Sequence, residues 1–297
     1  MRILLTGTSG QVGGALLPLL QRNDIVLAPK RDEFDLSRPE TLTERLAALK
    51  PDLIVNPAAY TAVDRAEDER ELAFRVNAEA AAVMAQWAAQ HGVPLIHFST
   101  DYVFDGSGTE PWREDSEPRP LSAYGASKLE GDSAIIAAGG AHLIVRTSWV
   151  YAAKGTNFLN TIVRLAKERE ELRIVADQVG APTSASVIAD TISEILSARR
   201  SDLGRAFDQC KGVVNVACQG ETSWHGFAAA IVAGLASRGA ALNVKRIIPI
   251  RTDEFPTRAR RPANSRLSLQ RLCREFDVSP ISWDQAIERE LDLMTNA

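Results

Sequence analysis

Tyr124 and Lys128 stand four residues apart in the run Tyr124-Gly125-Ala126-Ser127-Lys128, a spacing that puts both side chains on one face of a helix. A free phenol keeps its proton up to a pH of about 10. A lysine ammonium beside it favours the phenolate and lowers that value by about 1 to 3 units, into the range of general acid-base work. Thr100 follows Ser99 just beyond the apolar run Pro94-Leu95-Ile96-His97-Phe98, where a strand-end hydroxyl can orient a carbonyl group. A tyrosine that gives its proton to the carbonyl oxygen, while a cofactor gives hydride to the carbon, performs a reduction. Tyr-x-x-x-Lys also arises by chance at exposed helix starts, so its meaning depends on the residues ahead of it.

Gly7-Thr8-Ser9-Gly10-Gln11-Val12-Gly13 directly follows the strand-like Ile3-Leu4-Leu5 and opens a helix-like segment. In that context glycine permits a tight turn and a close backbone approach, and the helix N-terminus offers amide donors and positive potential to a pyrophosphate. The spacing is Gly-x-x-Gly-x-x-Gly, not the Gly-x-Gly-x-x-Gly of many dinucleotide sites. After the second apolar run, Ile25-Val26-Leu27, an acidic residue would bind an adenosine ribose hydroxyl, but here Ala28-Pro29 leads to Lys30 and Arg31. Those cations suit a 2'-phosphate, so NADPH is expected ahead of NADH. Asp35 and Leu36 are expected to flank the adenine. Ala58, Ala59, Tyr60 and Thr61, after Leu53-Ile54-Val55, are expected to line the path to the nicotinamide, with Phe98 joining them.

These groups need a scaffold, and the hydrophobic rhythm supplies one. The strand-like runs at 3–5, 25–27, 53–55, 94–98 and 142–145 alternate with helix-period segments at 12–20, 41–49, 69–90 and 127–138. Such repetition predicts an α/β fold, a doubly wound parallel Rossmann sheet, with ligands at the carboxyl ends of its strands. Residues 1–150 are expected to form the NAD(P)-binding domain. Residues 151–297 are expected to be mainly a smaller substrate-binding domain, with segments near 186–216 returning to the sheet. The second region holds helical segments at 158–169, 186–197 and 223–236, strands at 172–175 and 213–216, and a basic loop at 258–266.

With 34 basic and 38 acidic residues the formal charge is -4, which gives no global field for nucleic acid or an anionic membrane. Met1 runs straight into a strand, and no apolar stretch approaches about 18 residues, so neither a leader nor a membrane span is expected. Cys210, Cys218 and Cys273 lack metal-ligand spacing and the histidines are dispersed. The sequence therefore predicts a cytoplasmic chain with no metal site.

Six ordered blocks carry a closer likeness: 7–13, 99–104, 124–128, Arg146-Thr147-Ser148-Trp149-Val150-Tyr151, Asp177-Gln178-Val179-Gly180-Ala181-Pro182-Thr183, and Arg261-Pro262-Ala263-Asn264-Ser265-Arg266-Leu267. In these the chain resembles the dTDP-4-dehydrorhamnose reductases, an extended branch of the short-chain dehydrogenase/reductases. The resemblance implies reduction of the 4-keto group of a dTDP-sugar with NADPH, NADH being the second choice. It makes Tyr124 the proton donor and has Lys128 assist it and hold the nicotinamide ribose. It also implies that Thr100, Asp101 and Trp149 contact the sugar, and that Arg258, Arg261 and Asn264 serve the substrate. Related dehydratases carry Glu after the Asp of this motif, whereas Tyr102 stands here, which argues for plain reduction. Some relatives form magnesium-bridged dimers, but Ala15 and Ser186 occupy the corresponding places, so a monomer or a metal-free homodimer is expected. The competing readings are a nucleotide-sugar epimerase or dehydratase, and a non-catalytic regulatory subunit of the methionine adenosyltransferase type.

Overall fold

Short runs of leucine, isoleucine and valine assemble into one parallel sheet. In the computed structural model, which describes residues 1–295, the strands are β1 (Arg2–Leu5), β2 (Ile25–Leu27), β3 (Leu53–Asn56), β4 (Leu95–Thr100), β5 (His142–Thr147) and a sixth, Val213–Asn215. They lie in the order Val213–Asn215, β5, β4, β3, β1, β2, and each neighbouring pair is parallel. Successive side chains of a strand face opposite sides. Thus Ile3, Leu5, Val55, Ile96 and Val145 pack against helix α1 (Gln11–Leu20) and the Ala185–Ala198 helix. Leu4, Ile54, Leu95 and Ile144 instead meet α2 (Leu42–Leu49) and the helices of residues 70–91 on the other face. The connections leave β1 toward opposite edges of the sheet, so the switch point of the topology falls at its carboxyl end, where the glycine loop begins.

Two boundaries differ from the periodic reading, and both matter to the site. The long alanine-rich segment is interrupted: α3 (Arg70–Phe74) passes through a π-helical turn at Arg75–Glu79 into α4 (Ala80–His91). The turn projects Asn77, whose amide oxygen accepts the Tyr60 N–H at 2.8 Å and whose amide nitrogen donates to the Tyr60 carbonyl at 3.0 Å and the Ser127 hydroxyl at 2.9 Å. Helix α5 (Ala123–Ala138) starts earlier than its apolar pattern indicates. Ser122 fixes that start, its hydroxyl accepting the Gly125 N–H at 3.1 Å.

Beyond Trp149, Glu171–Val175 pairs in parallel with Arg246–Ile250. Val179–Gly180 lies between Thr222–Ser223 and Asn264–Ser265. The Phe158–Glu168, Trp224–Ser237 and Trp283–Thr295 helices enclose a core around Tyr151, Phe227 and Ile231. No helix among the described residues is long and apolar enough to cross a membrane.

Helix α5 approaches the π-helical turn closely because Gly131 has no side chain: a Cβ there would lie 2.2 Å from the Asn77 carbonyl oxygen. Gly131→Ala should therefore cost about 1 to 3 kcal/mol, seen as a lower urea midpoint with an unchanged slope. A midpoint equal to that of the unsubstituted protein would show that the two elements tolerate separation.

Candidate active site

The carboxyl ends of β1, β3 and β4 open into a cleft of about 1950 Å³. Gly7, Gly10, Gln11, Val12, Gly13, Lys30, Arg31, Asp35, Leu36, Ala58, Ala59, Tyr60, Thr61, Phe98, Thr100, Asp101, Tyr124, Lys128 and Trp149 all line it. Gly7 has φ +59°, and a Cβ on Gly13 would lie 2.2 Å from the Gly7 carbonyl oxygen. Larger residues would push the helix off its turn. Among the described residues no side chain caps α1, so its first turn presents backbone amides to the cleft. This cradle fits the pyrophosphate of a dinucleotide. At its far rim Arg31 sits 3.9 Å from Asp35, whose carboxylate already accepts the Ser37 N–H and hydroxyl at 2.9 and 2.8 Å.

Thr100 closes β4, and its backbone turns directly into Asp101–Val103. Its hydroxyl donates to Asp101 Oδ1 at 3.1 Å and stands within hydrogen-bonding reach of Tyr124. Tyr102 meets Tyr124 edge to face, the ring centres 5.6 Å apart. Lys128 is fully buried, and its ammonium contacts His97 Nε2 at 2.9 Å. The electrostatics correct the simple expectation for a tyrosine-lysine pair. Burial pushes the Tyr124 phenol above its ordinary value, helped by the charges of Asp101 and Asp132, and the Thr100 hydroxyl only partly opposes it. Burial also pulls Lys128 down to about 8, with Asp132 resisting. Desolvation dominates at both groups, so Tyr124 is held protonated near a lysine whose value of about 8 leaves it charged at neutral pH.

Asp101 is buried, and burial raises its carboxyl to about 7 against the stabilising hydroxyl of Thr100. Trp149 is held with φ +49°, a left-handed backbone costly for a bulky residue. Its ring stacks on Trp224 with centres 3.7 Å apart, and Trp224 donates its indole N–H to Gln178 at 3.1 Å. A Cβ at Gly180 would lie 2.9 Å from the Trp149 ring. The 177–183 block thereby builds the indole wall of the cleft, and Trp224 is a wall residue for which its sequence carries no distinguishing spacing.

Among the described residues, Arg258, Arg261 and Asn264 are not lining this cleft. Arg258 pairs with Asp68. Arg261 pairs with Asp64 at 2.7 Å and reaches the Tyr102 hydroxyl, so it backs the wall. Asn264 is buried, with Nδ2 donating to the Glu110 carbonyl at 2.8 Å and Oδ1 accepting the Arg266 N–H at 3.2 Å. Its amide pins the 107–110 loop. His97 and Asn157 stand out only in three dimensions; Asn157 donates to Gln11 Oε1 at 2.8 Å and so joins the glycine loop to the second region.

A doubly wound parallel sheet with a glycine loop at its switch point and a Tyr-x-x-x-Lys helix beside it defines an extended short-chain dehydrogenase/reductase. More particularly, the RmlD substrate binding domain family matches residues 1–296, and the chain belongs to that family. It is 50% identical over 290 residues to dTDP-4-dehydrorhamnose reductase of Burkholderia thailandensis, covering 97% of each chain. It is 41% identical over 298 residues to that of Salmonella typhimurium, covering 99% of this chain and 98% of the other. A crystal structure of dTDP-4-dehydrorhamnose reductase from Bacillus anthracis in complex with NADP superposes with a TM-score of 0.88 at 32% identity, over 98% of this chain and 99% of that one.

The Asp101 carboxyl binds its proton more tightly when folded than when unfolded. Its stability contribution is thus fully present below about pH 4 and is lost as pH rises toward 7. Asp101→Asn should leave the melting temperature unchanged at pH 4 and raise it progressively above the native protein's between pH 4 and 8. A constant difference across that range would place the carboxylate in a solvated setting.

Proposed function

We propose that the protein reduces the 4-keto group of dTDP-4-dehydro-β-L-rhamnose to dTDP-β-L-rhamnose with NADPH, the last step in making this activated sugar for cell-surface polysaccharide. The observation that carries the reading is the convergence of Tyr124, Thr100 and Lys128 on the cleft that the glycine loop opens. The relatives' shared name supplies the substrate class. Residues 1–150 hold the cofactor, and 151–297 serve mainly the sugar nucleotide.

Gly7 to Gly13 take the pyrophosphate on backbone amides. Lys30 and Arg31 face the adenosine 2'-phosphate, with Asp35 and Leu36 at the adenine. Ala58 to Thr61 and Phe98 line the way to the nicotinamide ribose, which Lys128 holds. Bound there, NADPH supplies the hydride. Thr100 hydrogen-bonds the 4-keto oxygen and Tyr124 gives it a proton. Because Tyr124 is held protonated by burial, it begins the step loaded. Lys128 then stabilises the phenolate left behind. Trp149 and its partner Trp224 pack on the sugar, with Asp101 on its hydroxyls. Arg258 and Arg261 reach the diphosphate by exchanging Asp68 and Asp64 for phosphate oxygens. Tyr102, neutral and pushed further up by burial, supplies no carboxylate for the dehydration chemistry of related enzymes. The protein works as a monomer or a metal-free homodimer, in the cytoplasm, where Cys210, Cys218 and Cys273 are free thiols.

Supplying dTDP-4-dehydro-6-deoxyglucose with the matching 3,5-epimerase should give stoichiometric loss of NADPH absorbance, and its absence would sink the reductase reading. Tyr124→Phe should lower turnover by about 10²- to 10⁴-fold while cofactor binding, followed by fluorescence, persists. Arg31→Ala should raise KM for NADPH by about tenfold or more, the size of one charge-assisted hydrogen bond, and leave KM for NADH in place. Equal effects on both cofactors would remove Arg31 from the 2'-phosphate.

A further inference from the structure

Lys128 meets its closest polar partner not on its own helix but on β4. His97 is buried, and its Nε2 lies 2.9 Å from the Lys128 ammonium. Its Nδ1 lies 3.0 Å from Asn56 Nδ2 on β3. Asn56 Oδ1 is 2.6 Å from the Thr6 hydroxyl at the end of β1, and that hydroxyl accepts the Ala58 N–H at 3.3 Å. The chain Lys128–His97–Asn56–Thr6 therefore crosses three adjacent strands and ends on the residue before Gly7. We propose that His97 is the positioning residue for Lys128: its neutral ring holds the amine through Nε2 and, through Asn56 and Thr6, ties it to the turn that enters the glycine loop.

Hydrogen-bond accounting supports this reading. A charged lysine has donors only, so Nε2 must then offer a lone pair and the ring proton sits on Nδ1. Nδ1–H requires an amide oxygen, so Asn56 turns its oxygen to His97 and its nitrogen to Thr6. In the opposite amide orientation, with the Thr6 hydroxyl donating to Oδ1, Asn56 donates to Nδ1, Nε2 carries the proton, and Lys128 accepts it as a neutral amine. The relay thus has two states in which both nitrogens of the His97 ring are paired, one for each charge state of Lys128. A third, with a charged ring, is excluded, because burial and the neighbouring ammonium hold His97 well below its ordinary value. Asp132 on α5 is the charged group acting on Lys128, Arg146 on β5 stands 3.5 Å from Asp132, and Tyr124 and Asp101 line the same cleft as Lys128. From the π-helical turn packed on α5, the neutral Asn77 meets Ser127, next to Lys128 in sequence.

The inference rests on the assignment of Lys128 to the reductase site, and its test separates the two. Ring ¹⁵N shifts of His97 in the intact protein should show a neutral imidazole from pH 5 to 9, changing from the Nδ1–H to the Nε2–H form as Lys128 loses its proton. A ring that charges near the ordinary value of about 6.5, or keeps one tautomer throughout, would overturn the proposal. His97→Phe keeps a ring of similar size but removes the acceptor. It should lower kcat by about 10- to 100-fold with a smaller change in substrate KM, and move the alkaline limb of the kcat profile about one pH unit downward, because the buried ammonium loses its acceptor. His97→Gln, whose amide oxygen reaches the Nε2 position, should restore most of both. A folded His97→Phe protein with native kcat and pH profile would refute the clamp and leave the reductase intact. If His97→Phe does not fold, the ring shifts and His97→Gln decide. If the native protein shows the tautomer exchange but reduces no keto sugar, the substrate assignment fails and the clamp stands.

Discussion

The ammonium of Lys128 is removed from water at the carboxyl edge of the sheet, and much of the surrounding architecture answers that burial. An unpaired ion in such a place costs several kcal/mol even after relaxation. Here Asp132 faces Lys128 from one turn further along α5, Ser99 donates to Asp132 at 2.8 Å, and Arg146 approaches it from β5. Arg146 in turn donates to the Glu114 carbonyl, and the Glu114 carboxylate lies 3.5 Å from Arg271. Charges of alternating sign therefore run from the cleft through β5 to the Gln270–Phe276 helix. Removing one member would leave its neighbour buried and unpaired, which costs more than any single pair contributes.

Placing Lys128 also places Tyr124, because both belong to the first turns of α5. Three local contacts set where that helix starts and how it lies. Ser122 caps it, and Gly125 lets it approach the chain after β4, since a Cβ there would lie 2.2 Å from the Tyr102 carbonyl oxygen. Ser127 accepts from Asn77 and donates to the Tyr124 carbonyl at 2.8 Å. The small residues between the tyrosine and the lysine are thus explained by neighbours rather than by helix propensity, which Gly125 weakens.

The strands and the two-faced sheet could be read from short apolar runs because a parallel strand buried on both faces needs little else. The glycine loop and the tyrosine-lysine helix were legible for a similar reason: both act through local spacing. What could not be read depends on contacts distant in sequence. The π-helical turn follows from Asn77 meeting Tyr60 and Ser127, and nothing in 69–90 marks the break. The Arg246–Ile250 strand contains a proline and lies half exposed, so no clean alternation announces it. The bonding of Asn264 to the 107–110 backbone was not legible, because a buried amide satisfied by a distant loop looks, in one dimension, the same as one aimed at a ligand. His97 was hidden in a strand-like run, where a histidine on a buried face has no local signature.

Burial acts on Tyr124 and Lys128 in opposite directions, favouring the neutral form of each. Left to desolvation alone, the pair would drift toward a neutral phenol and a neutral amine, which could give a proton but would have no charge to stabilise the phenolate that results. Asp132 opposes that drift at Lys128, and a neutral His97 provides the acceptor an ammonium needs. In the proposed reduction, loss of the Tyr124 proton would leave a phenolate near the Lys128 ammonium in a low-dielectric cleft, an attraction added to that of Asp132. An attraction that arises only with proton transfer lowers the barrier without first binding the reactants more tightly.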